Sequence, residues 1–146
     1  MLARPYLRIV RSAVAHCDSF FTMAQNARFA LGLRVLTVLA GGPDAMHTSA
    51  SIAAELGESA VMVRRTFLVL HSAGLITQRK GPNGGAQLKV PAKQIGLGDI
   101  FEASAGEWLG SGDPAVASLL KRARADAIAA MNETTIAHVV KKMKKK

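Results

Sequence analysis

The chain has 146 residues, with 19 Lys and Arg against 10 Asp and Glu and a formal net charge of +9. That length makes about one domain with a genuine hydrophobic core, and 49% hydrophobic with 20% charged residues excludes a disordered polar chain. A single cysteine, Cys17, excludes a disulfide framework or a zinc site built on several thiolates.

Residues 1–22 carry Arg4, Arg8 and Arg11 with Asp18 as the one acid, and Leu7, Val10 and Val14 fall at helical spacing. Arg8 and Arg11 interrupt the apolar run, which argues against a secretory signal. The segment reads either as an amphipathic targeting segment or as an N-terminal extension, disordered or the product of an early start codon, with Met23 opening the domain. From Asn26 the pattern is helical: Phe29, Leu33, Leu36 and Ala40 form a stripe, Leu39 widens it, and Gly41-Gly42-Pro43 stops it. Thr48 or Ser49 can cap a short helix, Ala50 to Leu56, that turns Ile52, Ala53 and Leu56 inward. Gly57 breaks it. Ser59 can cap a third helix with Val63, Phe67 and Leu70 on one face, ending at Ser72-Ala73-Gly74. Two short helices joined at a glycine, the second basic near its start, predict a helix-turn-helix.

Leu75 to Lys80 reads as a strand, Gly81-Pro82-Asn83-Gly84-Gly85 as a tight turn, and Ala86 to Val90 as the returning strand. Asn83-Gly84 is expected to supply the positive φ that hairpin turns demand, and Pro91 ends the ladder. A hairpin directly behind a helix-turn-helix is a wing. A short helix follows over Leu97 to Ser104, then a Gly- and Ser-containing link from Gly106 to Gly112. Asp113-Pro114 starts a long helix. Its stripe of Val116, Leu120, Ala123, Ala127 and Met131 has nearly the spacing of a partner-helix seam. Thr134 or Thr135 restarts a final turn through Ile136 and Val139, and a lysine-rich tail closes the chain.

Five of the lysines sit in that tail, at 141, 142 and 144–146, so much of the net charge belongs to the chain ends. The interior distribution is more informative. From Ser59 to Gly98 there are Arg64, Arg65, Arg79, Lys80, Lys89 and Lys93 and no acid, whereas six of the acids fall between Asp99 and Val140. One segment is built to face an anion and the other is not. The longest uncharged stretch, Thr66 to Gln78, falls short of the ~18 apolar residues a bilayer span needs. No membrane partner and a cytoplasmic location are therefore expected.

The segments ARFALGLRVLTVLA, SIAAELGES, VLHSAGLITQRKGPNGGAQL and IGLGDIFEA resemble the Rrf-two family of bacterial winged-helix transcription regulators, over about Met23 to Val140. The wing is the most specific piece: AGL, a basic strand, G-x-x-G-G and the D-I helix after it. The resemblance implies a DNA-binding winged helix with a dimerisation helix. It also implies, for the family's cluster-bearing members, three closely spaced cysteines in the link before that helix. The matching stretch here, Ala103 to Leu119, has neither cysteine nor histidine. The family's usual aromatic in the wing is replaced by Ala86.

Arg64 and Arg65 fall near the start of the third helix, where a recognition helix meets base edges or phosphates. Ser59, Val61 and Met62 share that end, Ser59 as a DNA contact or only a cap, Met62 as a contact or core. Arg79, Lys80 and Asn83 sit on the wing, suited to the minor groove or to a solvated tip. Arg28 can hold a phosphate or an intrahelical ion pair. Trp108 and Leu109 suit dimer packing or an effector pocket. His16, His47, His71 and His138 share no metal-ligand spacing and read as surface or cap residues. Cys17 is either a reactive thiol or inert.

The expected protein is mainly α with a small β-hairpin wing. It has an extension (1–22), a winged helix-turn-helix DNA-binding domain (23–98), linker and dimerisation helices (99–140) and a basic tail (141–146). Its expected function is sequence-specific binding of double-stranded DNA by a homodimeric repressor. No enzyme activity, no cofactor, no metal site and no iron–sulfur cluster are expected, and the effector is unknown. The alternatives are a winged-helix module for protein–protein assembly, and a ligand- or thiol-gated sensor form of the regulator.

Overall fold

Leucine or valine at positions 31, 33, 35, 36, 38 and 39 makes the first helix, α1, apolar on more than one side, and this helix becomes the central post. In the computed structural model, which describes residues 25–105, 108–109 and 112–145, α1 spans 25–41. The extension, Met23 and Cys17 lie outside the described residues. Leu31, Val35, Leu36 and Leu39 are buried, whereas Phe29, Leu33 and Ala40 pack only partly against the core. The expected stripe thus had the right helix and a rotated face. When several stripes satisfy the helical period, the neighbouring elements decide which one is buried.

Helix α2 (Ser49–Leu56) is capped by the Thr48 hydroxyl, which accepts from Ser51 N at 3.0 Å, and buries Ile52 and Ala53. Gly57 follows in the left-handed region at φ 66°, which a residue with a Cβ resists, and so sets the turn. Helix α3 (Ala60–Ser72) buries Val63, Phe67 and Leu70, the face expected from its spacing. Arg34 of α1 reaches over to this turn. Its guanidinium donates to Glu58 Oε1 at 2.6 Å and to the Leu56 carbonyl at 2.5 Å, satisfying a C-terminal carbonyl of α2. The groups are partly exposed, so removing both bonds with Arg34→Ala should cost about 1 kcal/mol. Urea unfolding should show this as a lower midpoint with an unchanged slope.

Strands β1 (Ile76–Arg79) and β2 (Gly85–Leu88) form an antiparallel hairpin in the register Ile76↔Leu88 to Arg79↔Gly85. The loop therefore runs from 80 to 84, and positive φ falls at Gly81 (108°) and Gly85 (151°) instead of at Asn83-Gly84. The reason is loop length: a two-residue turn needs positive φ at its tip, whereas this longer loop needs it where the chain leaves and rejoins the ladder. Ala86 is fully buried. It exchanges two backbone hydrogen bonds with His47 at 2.9 and 2.8 Å, so the segment before α2 bridges to β2 on the side away from β1.

Helix α4 (Leu97–Ala105) contributes Ile100 to the same core. Helix α5 (Pro114–Asn132) starts as expected, with Asp113 Oδ1 accepting from Ala115 N and Val116 N and with Pro114 in the first turn. It packs along α4, held midway by Arg124–Glu102 at 3.1 Å. At its last residue, Asn132 donates to Asp99 Oδ1 and accepts from Asp99 N, each at 3.0 Å. None of its residues is buried. Helix α6 (Ile136–Met143) returns to the core through Ile136, whose N–H donates to the Ile95 carbonyl at 2.9 Å. Thr135 caps it, and His138 accepts from Thr135 N at 3.2 Å, a capping role. Lys141 and Lys142, expected in a separate tail, are its last turn.

Candidate nucleic-acid interface

Burial of Val63, Phe67 and Leu70 fixes which way α3 faces. With 3.6 residues per turn, Val61, Arg65, Leu68 and Ser72 lie on the opposite side, and all four are exposed. Arg65 is central on that outward face. Arg64 lies on one flank and Met62 on the other, both exposed, so Met62 is not core. Ser59 occupies the N-cap position, but its side chain makes no capping hydrogen bond. A pure capping role therefore does not explain it. The first turn of α3 carries no acid, and its free N–H groups add to the positive field there. The acid just before it, Glu58, is held by Arg34.

The wing extends the same surface. Arg79, at the end of β1, and Lys80 and Asn83, in the loop, are all exposed. Arg28 is exposed near the start of α1, and the ion pairs among the described residues, Arg34–Glu58 and Arg124–Glu102, do not include it. The intrahelical pair weighed for it does not form. Behind the wing, Lys89, Lys93, Lys141 and Lys144 gather around one groove, bringing the C-terminal lysines beside the domain's own.

On α5, Val116 and Ala123 of the expected seam are exposed, while Leu120, Ala127 and Met131 are half-buried. Leu119 was missing from that stripe and is 72% exposed, the most open large apolar side chain among the described residues. Spacing alone passed over it because Leu119 and Leu120 are equally apolar and only the placement of α4 separates them. Trp108 stacks edge-on to Phe101 at 5.1 Å, and Phe101 edge-on to Phe29 at 5.5 Å, so its ring packs within the protomer. Its indole nitrogen is buried with no acceptor among the described residues.

A helix-turn-helix with an exposed basic helix, followed directly by a basic hairpin, defines the winged-helix class of DNA-binding proteins. Residues 25–142 match the family model described as Rrf2, iron-dependent transcriptional regulator, and the chain belongs to that family. Among solved structures, the oxidized form of Staphylococcus aureus CymR is 32% identical. That match covers 77% of this chain and 92% of that one, with a TM-score of 0.59. CymR (YrzC), the global cysteine regulator of B. subtilis, is 25% identical over 78% of this chain and 93% of that one, with a TM-score of 0.61. T. potens IscR shares the fold at 23% identity, covering 80% and 85% of the two chains with a TM-score of 0.60. The resemblance read from the sequence is thus to the right family. No helix among the described residues is long and apolar enough to cross a membrane.

The family description implies iron, and the donors among the described residues do not fit it. The stretch from Ala103 to Leu119 offers no sulfur and no imidazole. Among the described residues no three His, Cys, Asp or Glu gather where they could hold a metal ion. His47 lies against Gly42, His71 is exposed on α3 and His138 caps α6. Asp113, the described acid of the link, caps α5. Oxygen donors of that kind are too hard for an iron–sulfur centre, which takes thiolates with occasional imidazoles.

Proposed function

We propose that this Rrf2-family protein is a homodimeric, sequence-specific DNA-binding repressor that works without an iron–sulfur cluster. The observation that carries the DNA reading is Arg65 at the centre of the outward face of α3, with no acid between residues 59 and 98 to neutralise it. Arg65 and Arg64 read base edges or phosphates in the major groove, with Ser59, Val61 and Met62 beside them. Arg79, Lys80 and Asn83 of the wing meet the minor groove, and Arg28 holds a phosphate.

The DNA-binding unit spans 23–98 and the linker and dimerisation helices 99–140, two roles on one hydrophobic core. Two copies join through α5, using Val116, Leu120, Ala123, Ala127 and Met131 together with Leu119. A 19-residue helix with no buried residue and two exposed large apolar side chains, Val116 and Leu119, supports that seam. The matching operator is a palindrome with half-sites about one or two helical turns apart. Selection of bound duplexes from a random pool tests this: enrichment of a palindrome supports the proposal, and no enrichment of any sequence removes it.

The missing ligands make a further expectation. Protein purified without air should carry no stoichiometric iron or sulfide, and its DNA affinity should not respond to nitric oxide through a cluster. Iron and sulfide analysis decides this, and a brown protein with stoichiometric iron would overturn the cluster-free reading.

A further inference from the structure

The flank of α3 that carries Met62, Thr66 and Val69 faces α1 across a groove of about 660 Å³. Ala27, Ala30 and Leu31 form its α1 wall, and Ser104 at the end of α4 closes one side. Arg28, Arg34 and Arg65 are among its lining residues. Glu58, the one carboxylate among its described lining residues, is engaged by Arg34 at 2.6 Å. Arg28 and Arg65 therefore line an apolar groove that has no further carboxylate among its described lining residues. Its volume lies in the range of pockets that enclose small molecules. The apolar wall asks for more than a DNA phosphate, which brings charge but no apolar body.

We propose that this groove binds a small amphipathic carboxylate, its apolar body between α1 and α3 and its carboxylate on Arg28 and Arg65. A guanidinium pairs with a carboxylate through two parallel hydrogen bonds, and partial enclosure strengthens them. Arg65 is also the central residue of the outward face of α3. Holding it on the ligand withdraws it from DNA, so ligand binding and operator binding oppose each other. This regulatory half rests on the base-reading role proposed for Arg65; the binding half does not.

Naphthalene-2-carboxylate is the probe, titrated by calorimetry into the full-length protein without DNA, with naphthalene-2-carboxamide as its neutral counterpart. The carboxylate should bind saturably at one site per chain and the carboxamide at least about tenfold more weakly, as expected for one lost charge-assisted contact. Arg28→Gln should weaken the carboxylate about as much, and Ala30→Trp, which fills the groove from an exposed helix position, should abolish its binding. Equal binding of acid and amide, unchanged binding to Ala30→Trp, or no saturable binding would overturn the site. Sedimentation of Ala30→Trp separates the remaining occupant: if filling the groove converts dimers to monomers, a second copy sits there and the proposal fails. Adding the carboxylate to a selected operator complex should raise the Kd for DNA. Saturable binding with an unchanged Kd would remove the coupling, while loss of all DNA specificity would leave the DNA-free titration intact.

Discussion

Arg65→Ala is expected to weaken binding to the selected operator by about 1–3 kcal/mol and to relax the preference at one base pair of each half-site. Its central place on the exposed side of α3 is the reason. Arg79→Ala is expected to behave differently. A wing cation near the backbone contributes through counterion release, so affinity should fall evenly across sequences and the salt slope should flatten by about one unit. The comparison is made by fluorescence anisotropy on operator and scrambled duplexes at several salt concentrations. Equal, sequence-independent losses from both changes would deny Arg65 a base-reading role.

Leu119→Lys should give monomers that bind a half-site weakly, because it places a charge in the middle of the proposed α5 seam. Leu119 is 72% exposed in the protomer, so the substitution leaves the fold intact, and far-ultraviolet circular dichroism should be unchanged. Leu120→Lys should also dissociate the dimer. It should lower the thermal midpoint as well, since Leu120 is half-buried. Sedimentation velocity reads both. An unchanged dimer in Leu119→Lys would move the interface elsewhere, and loss of the second DNA half-site should accompany dissociation.

The local elements were legible in the residues because their signals are local. Thr48 and Asp113 cap helices with their own side chains, Gly57 breaks a helix by its backbone freedom, and the 63, 67, 70 spacing has one solution in a helix whose other positions include two arginines. The absence of cysteine and histidine from 103 to 119 is likewise a property of the chain alone. Contacts between distant segments were not legible. Arg34 and Glu58 are 24 residues apart, and nothing in the spacing joins them until α1 crosses the α2–α3 turn. The buried face of α1 stayed ambiguous because a helix apolar on more than one side takes its orientation from what packs on it. The wing's positive-φ residues depended on a register that only the closed hairpin sets, and the bridge from His47 to Ala86 depended on the loop before α2 reaching β2. The C-terminal lysines counted as an end effect until α6 folded back through Ile136 and placed Lys141 and Lys144 beside Lys89 and Lys93. Capping, helix breaking and ligand supply are set by neighbours along the chain, whereas orientation, register and convergent charge are set by neighbours in space, and only the folded chain brings those together.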